Sequence, residues 1–180
     1  MQTSHYLPRE LGNGMEQKAF LERAIEQHGK ATYNFAYRLT HNDADASDLT
    51  QDAFIRVFRA WQSFKPGTSF RSWIYRIVTN LYCDELRRRN VRFCEARISD
   101  HSVSPIEDYV EAYPSERVAK ALAGLTPEQR EVVLLADVEG YSYHEVGRIV
   151  GCRLGTVRSR LHRARRDLRK LLNRYVASSS

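Results

Sequence analysis

Apolar residues recur at helical spacing through most of this chain, and no segment shows the regular alternation of a half-buried strand. One apolar stripe predicts a helix over residues 15–39, which Gly29 can break. A second stripe predicts a helix over residues 46–61, and Asp43 or Asp45 is available to cap it.

Helix boundaries are marked more strongly in the C-terminal part of the chain. Thr126 and Ser142 each precede a helical stripe and are followed three residues later by Gln or Glu, which is the pattern of a capping box. Gly151 can close the second of these helices, and a longer helix is expected to begin near Gly155. A short helix, a corner that contains Gly and a longer helix match the helix-turn-helix motif. The longer helix has one narrow apolar seam, formed by Val157, Leu161, Ala164, Leu168 and Leu171.

The segment between the two helical parts has a different character. Residues 91–115 are acidic, contain two prolines and show no sustained period, which is typical of a linker. The expected fold class is therefore all-α, with two small helical domains joined by a flexible linker, the C-terminal one a helix-turn-helix. The expected division is a flexible extension at 1–14, a first domain at 15–90, the linker at 91–115 and the helix-turn-helix domain at 116–176.

The charge of the chain indicates a negatively charged partner. Its 180 residues include 28 Lys and Arg against 22 Asp and Glu, which gives a net charge of +6. No run approaches the roughly 18 apolar residues of a membrane span, and the N-terminus lacks the apolar core of a secretory signal. We therefore expect a cytoplasmic protein with no membrane insertion.

The three cysteines, Cys83, Cys94 and Cys152, are odd in number and form no CxxC pair. This pattern favours simple thiols in a reducing compartment over a disulfide framework. Redox sensing and metal binding by these cysteines remain open alternatives.

Neither a metal site nor a catalytic site is expected. The acidic run HNDADASDLTQD imitates the first calcium ligands of an EF-hand, but Asp48 stands where that loop requires Gly and Phe54 where it requires Glu. The six histidines lie near no recognisable nucleophile motif, and the chain has no Gly-rich phosphate loop. We predict a protein that is not an enzyme and needs no cofactor.

The predicted helix after Gly155 carries arginines on the side opposite its apolar seam. A solvated charged face is the alternative explanation, but mixed Lys and Glu would serve solubility equally well. The planar guanidinium of arginine matches guanine edges and phosphates, which favours DNA binding. The residues predicted to read base edges are Arg158, Ser159, His162 and Arg163. Those predicted to contact phosphate are Arg153 and Thr156 near the helix start and Arg166 further along.

A second basic surface is expected on a helix of the first domain that begins after a cap at Thr68 or Ser69. Its predicted buried stripe is Phe70, Trp73, Ile74, Ile77 and Leu81. Its polar side is predicted to carry Arg76, Asn80, Cys83 and Arg87, followed by Arg88 and Arg89. With Trp73, Tyr75 and Tyr82 on the same helix, this basic and aromatic mixture is typical of surfaces that bind unpaired strands as well as duplex. Burial in the core is the alternative explanation for Trp73 and Tyr82, but it does not account for Asn80 or the three consecutive arginines.

Two long segments of the sequence resemble a known family. DLTQDAFIRVFRAWQSFKPGTSFRSWIYRIVTNLYCDELRRR and LTPEQREVVLLADVEGYSYHEVGRIVGCRLGTVRSRLHRARRDL are similar to the two domains of bacterial RNA polymerase sigma factors of the extracytoplasmic-function group. The resemblance covers roughly residues 15–90 and 116–172, in the order that the family has. It implies promoter-specific transcription initiation, with the helix-turn-helix on the −35 element and the first domain helping to open the −10 element.

The resemblance also assigns roles to individual residues. The residues implied to bind the polymerase core are Asp48, Gln51, Asp52 and Arg56. Those implied to capture a flipped base of the −10 element are Phe64, Lys65, Ser69 and Phe70 in a loop, with Arg76 and Asn80 on the helix that follows. Those implied to contact the adjacent backbone are Arg87, Arg88 and Arg89. The implied partners are the coiled coil of the largest polymerase subunit, the polymerase flap, promoter DNA and an anti-sigma factor.

Geometry independently favours two separable domains. Promoter elements one to two helical turns apart are separated by about 35 to 70 Å, whereas a domain of this size has a radius of gyration of about 10 to 12 Å. In the free protein we expect the domains to pack together or to be held by an anti-sigma factor, because each is small. Two alternative functions stay open: a conventional helix-turn-helix regulator that acts without polymerase, and an RNA-processing enzyme that uses the aromatic and basic face.

Overall fold

The computed structural model describes residues 9–95 and 116–177, and the side-chain surroundings of residues 14–89 and 116–174. This part of the chain is all-α, as predicted, with a 3-10 turn at Trp61–Ser63 and a π turn at Leu134–Val138. In chain order the helices are α1 (Arg9–Thr40), α2 (Asp43–Ala60), α3 (Phe70–Glu95), α4 (Glu116–Ala123), α5 (Pro127–Val133), α6 (Tyr143–Val150) and α7 (Leu154–Ala177).

Helices α1 to α3 pack against one another as the N-terminal domain. Helix α1 runs through Gly29 without a break, since one glycine costs a helix only about 1 kcal/mol and the flanking apolar stripe is buried. The predicted caps of α2 are wrong: Asn42 is the N-cap, and its side chain accepts the backbone N–H of Asp45 at 2.9 Å. Asp43 and Asp45 instead lie in the first turn, where their negative charge interacts favourably with the positive end of the helix dipole.

The loop between α2 and α3 is held by aromatic packing. Phe64 and Phe70, at its two ends, lie 5.6 Å apart between ring centroids, and both contact Phe20 of α1 and Trp73 of α3. Ser69 caps α3, because its hydroxyl accepts the backbone N–H of Ser72 at 3.2 Å. One of the two predicted caps is thereby confirmed, and the cluster fixes where the loop lies.

The C-terminal domain, α4 to α7, begins with a helix that the sequence patterns did not indicate, α4. Both capping boxes are confirmed, at Thr126 and at Ser142. Gly151 ends α6 in the left-handed conformation, with φ of 70°. A Cβ on Gly147 would lie 2.8 Å from the carbonyl oxygen of Cys152, so glycine allows the corner between α6 and α7 to fold back closely.

The two domains pack against each other, one of the two arrangements expected for the free protein. Helix α3 lies against α6, and α1 contacts α5. Buried side chains of both domains belong to one continuous apolar cluster, which includes Leu39, Tyr82 and Leu122. We call this packing of the two domains against each other the closed arrangement. It is stabilised by apolar burial as well as by the polar contacts described below.

The expected domain boundaries lie partly outside the described residues. Helix α3 continues to Glu95, five residues beyond the expected end of the first domain at 90. The rest of the expected linker and most of the expected extension at 1–14 are outside the described ranges. Within the described ranges, no helix is long and apolar enough to span a membrane.

Candidate nucleic-acid interface

The outer face of α7 presents most of the residues predicted to read the −35 element. The seam of α7 is buried as predicted at Val157, Leu161 and Ala164, with Leu168 and Leu171 half-buried. The exposed residues among the predicted set are Arg153, Arg158, Ser159, His162, Arg163 and Arg166, while Thr156 is half-buried. The predicted face is therefore open to solvent along its length and is not covered by the N-terminal domain.

The arginines of this face differ in their partners. Among the side chains that the structure describes, neither Arg158 nor Arg163 has a hydrogen-bond or ion-pair partner, whereas Arg166 lies 3.1 Å from Asp167. Arg165 binds Asp137 through two nitrogens and stacks near the Tyr143 ring. A shallow groove between α6 and α7 is walled by Tyr143, Arg158, His162, Arg165, Arg166 and Arg169. An anionic ligand in this groove would meet guanidinium groups on several sides.

The predicted −10 surface consists of an exposed polar part and an aromatic part that is half-buried. Arg76 and Asn80 on α3 are exposed, as are Lys65 and Ser69 in the loop before it. Phe64 and Phe70 are half-buried, because they pack in the aromatic cluster with Phe20, Trp61 and Trp73. Phe64 and Phe70 keep part of their surface exposed, and capture of a base there stays a prediction.

The three consecutive arginines of α3 already have carboxylate partners. Arg87 lies 2.9 Å from Asp84, and Arg88 lies 3.0 Å from Glu85. Arg89 binds both oxygens of Asp45, at 2.8 and 3.1 Å, and also Glu85 at 3.0 Å. The hydrogen bond to Asp45 raises the pKa of Arg89, so this guanidinium chiefly ties α3 to the start of α2.

Two of the aromatic residues counted in the basic and aromatic mixture of α3 belong to the protein interior. Tyr75 is fully buried and stacks on Phe35 with 4.1 Å between ring centroids, so it does not contribute to the basic and aromatic surface predicted on α3. Tyr82 is also buried, at the domain interface, where its hydroxyl accepts a hydrogen bond from Arg130. Because both rings lie within the core, they cannot stack on bases in this arrangement.

Cys83 also lies at the domain interface, rather than on a free polar side of α3. Its Sγ is 3.7 Å from Oε2 of Glu131, and burial together with that carboxylate raises its pKa to about 11. Burial also raises the pKa of Cys152, and the side chain of Cys94 is outside the described range. A raised pKa disfavours the reactive thiolate, which argues against redox sensing by Cys83 or Cys152.

The residues implied to bind polymerase lie on the outer face of α2. Asp48, Gln51, Asp52 and Arg56 are all exposed. Ile55 and Phe58, on the same helix, are 47% and 38% exposed, although both are large and apolar. An exposed apolar pair among charged residues is typical of a protein-docking surface. In the sequence this pair could have been recognised as two apolar residues that do not belong to the predicted buried stripe of the helix.

Sequence patterns missed the polar contacts between the domains. Arg130 of α5 is 8% exposed and donates to the carbonyl oxygens of Leu122, Ala123 and Leu125 in its own domain. It also donates to the Leu39 carbonyl and the Tyr82 hydroxyl of the N-terminal domain. Glu139, after the π turn, binds Arg38 and Arg71 of the N-terminal domain. In the sequence, the contacts of Arg130 and Glu139 between the domains are indicated only by a charged residue that stands next to apolar residues.

Metal-binding residues do not converge in the part of the chain described by the structure. No group of three or more His, Cys, Asp or Glu side chains there has the arrangement of a metal site. Asp43 of the EF-hand-like run accepts a hydrogen bond from Tyr33, and Asp45 binds Arg89. These carboxylates therefore have structural partners within the protein.

Comparison with known proteins identifies both domains. Residues 24–92 match the family model described as Sigma-70 region 2, and residues 115–168 match Sigma-70, region 4. The chain is 43% identical to the ECF RNA polymerase sigma factor SigE of Mycolicibacterium smegmatis, over 88% of this chain and 64% of that protein. It is 35% identical to the RNA polymerase sigma factor CarQ of Myxococcus xanthus, over 87% of this chain and 90% of that protein.

A solved structure has the same architecture. The sigma factor RpoE of Bartonella quintana, in complex with the anti-sigma factor NepR, matches with a TM-score of 0.74 and 28% identity, covering 84% of this chain and 96% of that chain. Both sigma regions are present here in one chain. The chain therefore belongs to the sigma-70 family of bacterial RNA polymerase sigma factors, in its extracytoplasmic-function group.

Proposed function

We propose that this protein binds RNA polymerase core and directs it to initiate transcription at specific promoters. The observation that carries the proposal is the open arginine face of α7 on a helix-turn-helix, in the same chain as a region 2 domain. The protein itself is not a catalyst in this proposal, because polymerase supplies the chemistry. Since polymerase and promoter DNA are cytoplasmic in bacteria, we propose that it acts in the cytoplasm.

The α7 face would read the −35 element in the major groove. Arg158 and Arg163 have guanidinium groups free to bind guanine O6 and N7, the contact for which a planar fork is suited. Ser159 and His162 lie beside them on the same exposed face. Arg153, Thr156 and Arg166 would hold backbone phosphates on either side.

The N-terminal domain would act on the −10 element. Asn80 and Arg76 are exposed polar groups on α3, the helix that begins at the aromatic loop, so a base turned out of the duplex along this helix would meet hydrogen-bonding groups. Lys65 and Ser69 complete this proposed site from the loop. Because their guanidinium groups already bind carboxylates, Arg87, Arg88 and Arg89 would contribute less to backbone binding than arginines without a protein partner.

The outer face of α2 would dock on polymerase. Its exposed Asp48, Asp52 and Arg56 surround the apolar Ile55, which provides both charge complementarity and apolar area. Gln51 is also exposed and donates to the Ser47 hydroxyl at 3.2 Å. We propose the coiled coil of the largest subunit as the partner of this face, and the polymerase flap as a partner of the C-terminal domain.

Promoter binding would require the two domains to separate. In the closed arrangement α3 and α6 are in contact, whereas the two promoter elements are about 35 to 70 Å apart. The matching RpoE structure contains an anti-sigma factor, and we propose that a protein of that class holds this chain away from polymerase. Polymerase core would oppose it by stabilising the open arrangement.

The decisive experiment is transcription in vitro with purified core polymerase and a genomic promoter library. Core with the protein should produce transcripts that core alone does not, and Asp52→Lys together with Ile55→Ser should abolish them by weakening core binding. A conventional regulator would instead bind a palindromic duplex tightly without polymerase. Failure to initiate at any promoter would refute the proposed function.

Asn80→Ala separates melting from polymerase docking. We expect weaker opening of the −10 element, measured as permanganate reactivity of its thymines, with unchanged affinity for core, because Asn80 lies on α3 and not on the α2 face. Arg117→Ala, at an exposed position of α4, is a control for general loss of polar surface. Lost core affinity in the Asn80 variant would contradict this division of roles.

A further inference from the structure

The carboxylate of Glu139 crosses from the C-terminal domain into a site on the N-terminal domain. Its side chain is only 3% exposed. Oε1 accepts a hydrogen bond from Nη1 of Arg38 at 2.8 Å, and Oε2 accepts from Nη2 of Arg71 and from the hydroxyl of Tyr75, the latter at 3.1 Å. Arg38, Arg71 and Tyr75, here termed the anion socket, all belong to the N-terminal domain.

The anion socket is a built site rather than a loose surface pair. Nε of Arg71 donates to the Tyr75 hydroxyl at 3.2 Å, and the guanidinium lies over the Tyr75 ring, 5.4 Å from its centroid. Tyr75 is held in place by stacking on Phe35. Burial and the charge of Glu139 raise the pKa of Tyr75, so its hydroxyl remains protonated and can donate. The donors converge on one carboxylate, as anion recognition requires.

Opening the domains would leave the anion socket without the carboxylate that now fills it. The donors of the anion socket would then be open to solvent in their present arrangement, so another anion with paired oxygens would meet donors that already converge. Arg71 remains 46% exposed even in the closed arrangement, so one side of the anion socket already faces solvent. It directly follows Phe70 of the proposed −10 site in the chain. The nearest anion in an open promoter complex would be a phosphate of the strand bound at that site.

We propose that the anion socket binds a backbone phosphate of the promoter strand next to the −10 element, and that Glu139 occupies it in place of that phosphate while the domains are closed. A carboxylate and a phosphodiester both present paired oxygens to a guanidinium fork, so one set of donors can serve both. The closed state and DNA binding are then mutually exclusive at this site. This inference rests on the proposed function, because it assumes a bound −10 strand.

Binding of a fluorescent 12-nucleotide single-stranded DNA to the full-length protein tests the exchange. Glu139→Gln removes the competing charge and weakens the closed state, so we expect affinity to rise about 3- to 10-fold. Adding Arg71→Gln to that variant should reverse the gain. It should also reduce the slope of log K against log salt by about 0.7, the value for one phosphate contact on a single strand.

Arg23→Gln is the matched control, because it removes the same charge from an exposed position on α1 outside the anion socket. It should change the salt slope less than Arg71→Gln does. Thermal unfolding of each variant verifies that it folds, and Arg71→Lys, which keeps the charge without the fork, should retain most of the slope. A retained salt slope in the lysine variant would support phosphate binding by the charge at position 71 over a purely structural role of Arg71.

Three outcomes would overturn the inference. Unchanged DNA affinity in the Glu139 variant would show that the carboxylate does not compete. Loss of affinity in the Arg71 variant with an unchanged salt slope would indicate a structural role. Altered binding of polymerase core with unchanged DNA binding would make the anion socket a protein-docking site. The proposed function fails separately, if wild-type protein with core initiates no transcription.

Discussion

The domain interface and the outer face of α7 are both rich in arginine, but they hold it in opposite states. At the interface Arg130 is 8% exposed and donates to backbone carbonyls of both domains, while Arg38 and Arg71 share the carboxylate of Glu139. On α7, Arg158 and Arg163 are exposed and have no partner among the described side chains. The same residue type is therefore an internal anchor in one region and is exposed without a described partner in the other, where we propose that it binds DNA.

The difference teaches that a candidate nucleic-acid surface is recognised by guanidinium groups that have no partner within the protein. The total number of arginines is a poorer guide. Helix α7 itself contains both kinds. Arg160 points to the interface and binds Glu131 at 3.1 Å, and Arg165 binds Asp137, whereas Arg158 and Arg163 point outward. A count of positive charge along α7 would treat all of them alike.

Arg130→Met is expected to have the largest effect on stability. It removes a buried cation that donates to several carbonyl oxygens and leaves those acceptors without a partner. We expect the free energy of unfolding to fall by about 2 to 4 kcal/mol, measured by urea denaturation. Arg117→Met, at an exposed position of α4, should change it by no more than about 0.5 kcal/mol. Equal effects of the two variants would contradict the role of Arg130 as an anchor.

Arg163→Ala tests the opposite state, in which the guanidinium is free. We expect it to cost about 1 to 3 kcal/mol of discrimination at one base pair of the −35 element, measured as holoenzyme transcription from promoters altered at single positions. Arg165→Ala is the matched control, because that guanidinium is held by Asp137. Uniform losses on every sequence would assign Arg163 to phosphate instead of to a base.

Glu131→Gln tests the electrostatics of the interface through pH. Burial raises the pKa of Glu131 to about 7, against the opposing effect of Arg160. The folded state thus holds a proton that the unfolded state has lost above about pH 4.5, so stability falls as pH rises from about 4.5 to 7.

The glutamine variant lacks this titration, so its advantage should appear at high pH. We expect it to exceed wild type by about 2 to 3 kcal/mol at pH 8 and to approach it near pH 4.5, measured by urea denaturation across that range. His41, with its pKa lowered to about 4 by burial, titrates in both proteins and cancels in the difference. A constant difference across the whole pH range would contradict the raised pKa.

Arg89→Ala is expected to have the smallest effect. It breaks the pairs to Asp45 and Glu85, which are about one-third exposed, so the cost in stability should be about 0.5 to 1 kcal/mol. The same variant should leave the salt dependence of DNA binding almost unchanged, because this guanidinium is already neutralised. A salt slope that falls as much as in Arg163→Ala would place Arg89 with the free arginines.

Local features of the fold could be predicted because their causes are local. A capping box such as that at Ser142 lies within four residues, and the seam of α7 repeats along a single helix. The cap of α2 could not be predicted from the sequence, because the polar residues at 42, 43 and 45 can all cap a helix. Asn42 is the cap because it has the extended backbone conformation directly before the first turn.

The domain interface could not be predicted, because its partners are distant in the chain. Arg38 and Glu139 are 101 residues apart, and no periodic pattern connects them. The burial of Tyr75 could not be predicted for a related reason: its ring is buried by α1 and by the C-terminal domain together, which a single helical wheel cannot represent. The outer faces of α7 and α2 needed no such knowledge, because solvent exposure follows from one helix alone.

The most direct measurement of the central claim is sequencing of the 5′ ends of transcripts made by core polymerase with this protein on genomic DNA. The account predicts start sites that share two upstream elements at a fixed spacing, with the upstream element relaxed by Arg158→Ala and Arg163→Ala together. Start sites identical to those of core alone, or a shared motif unaffected by the α7 variants, would contradict it.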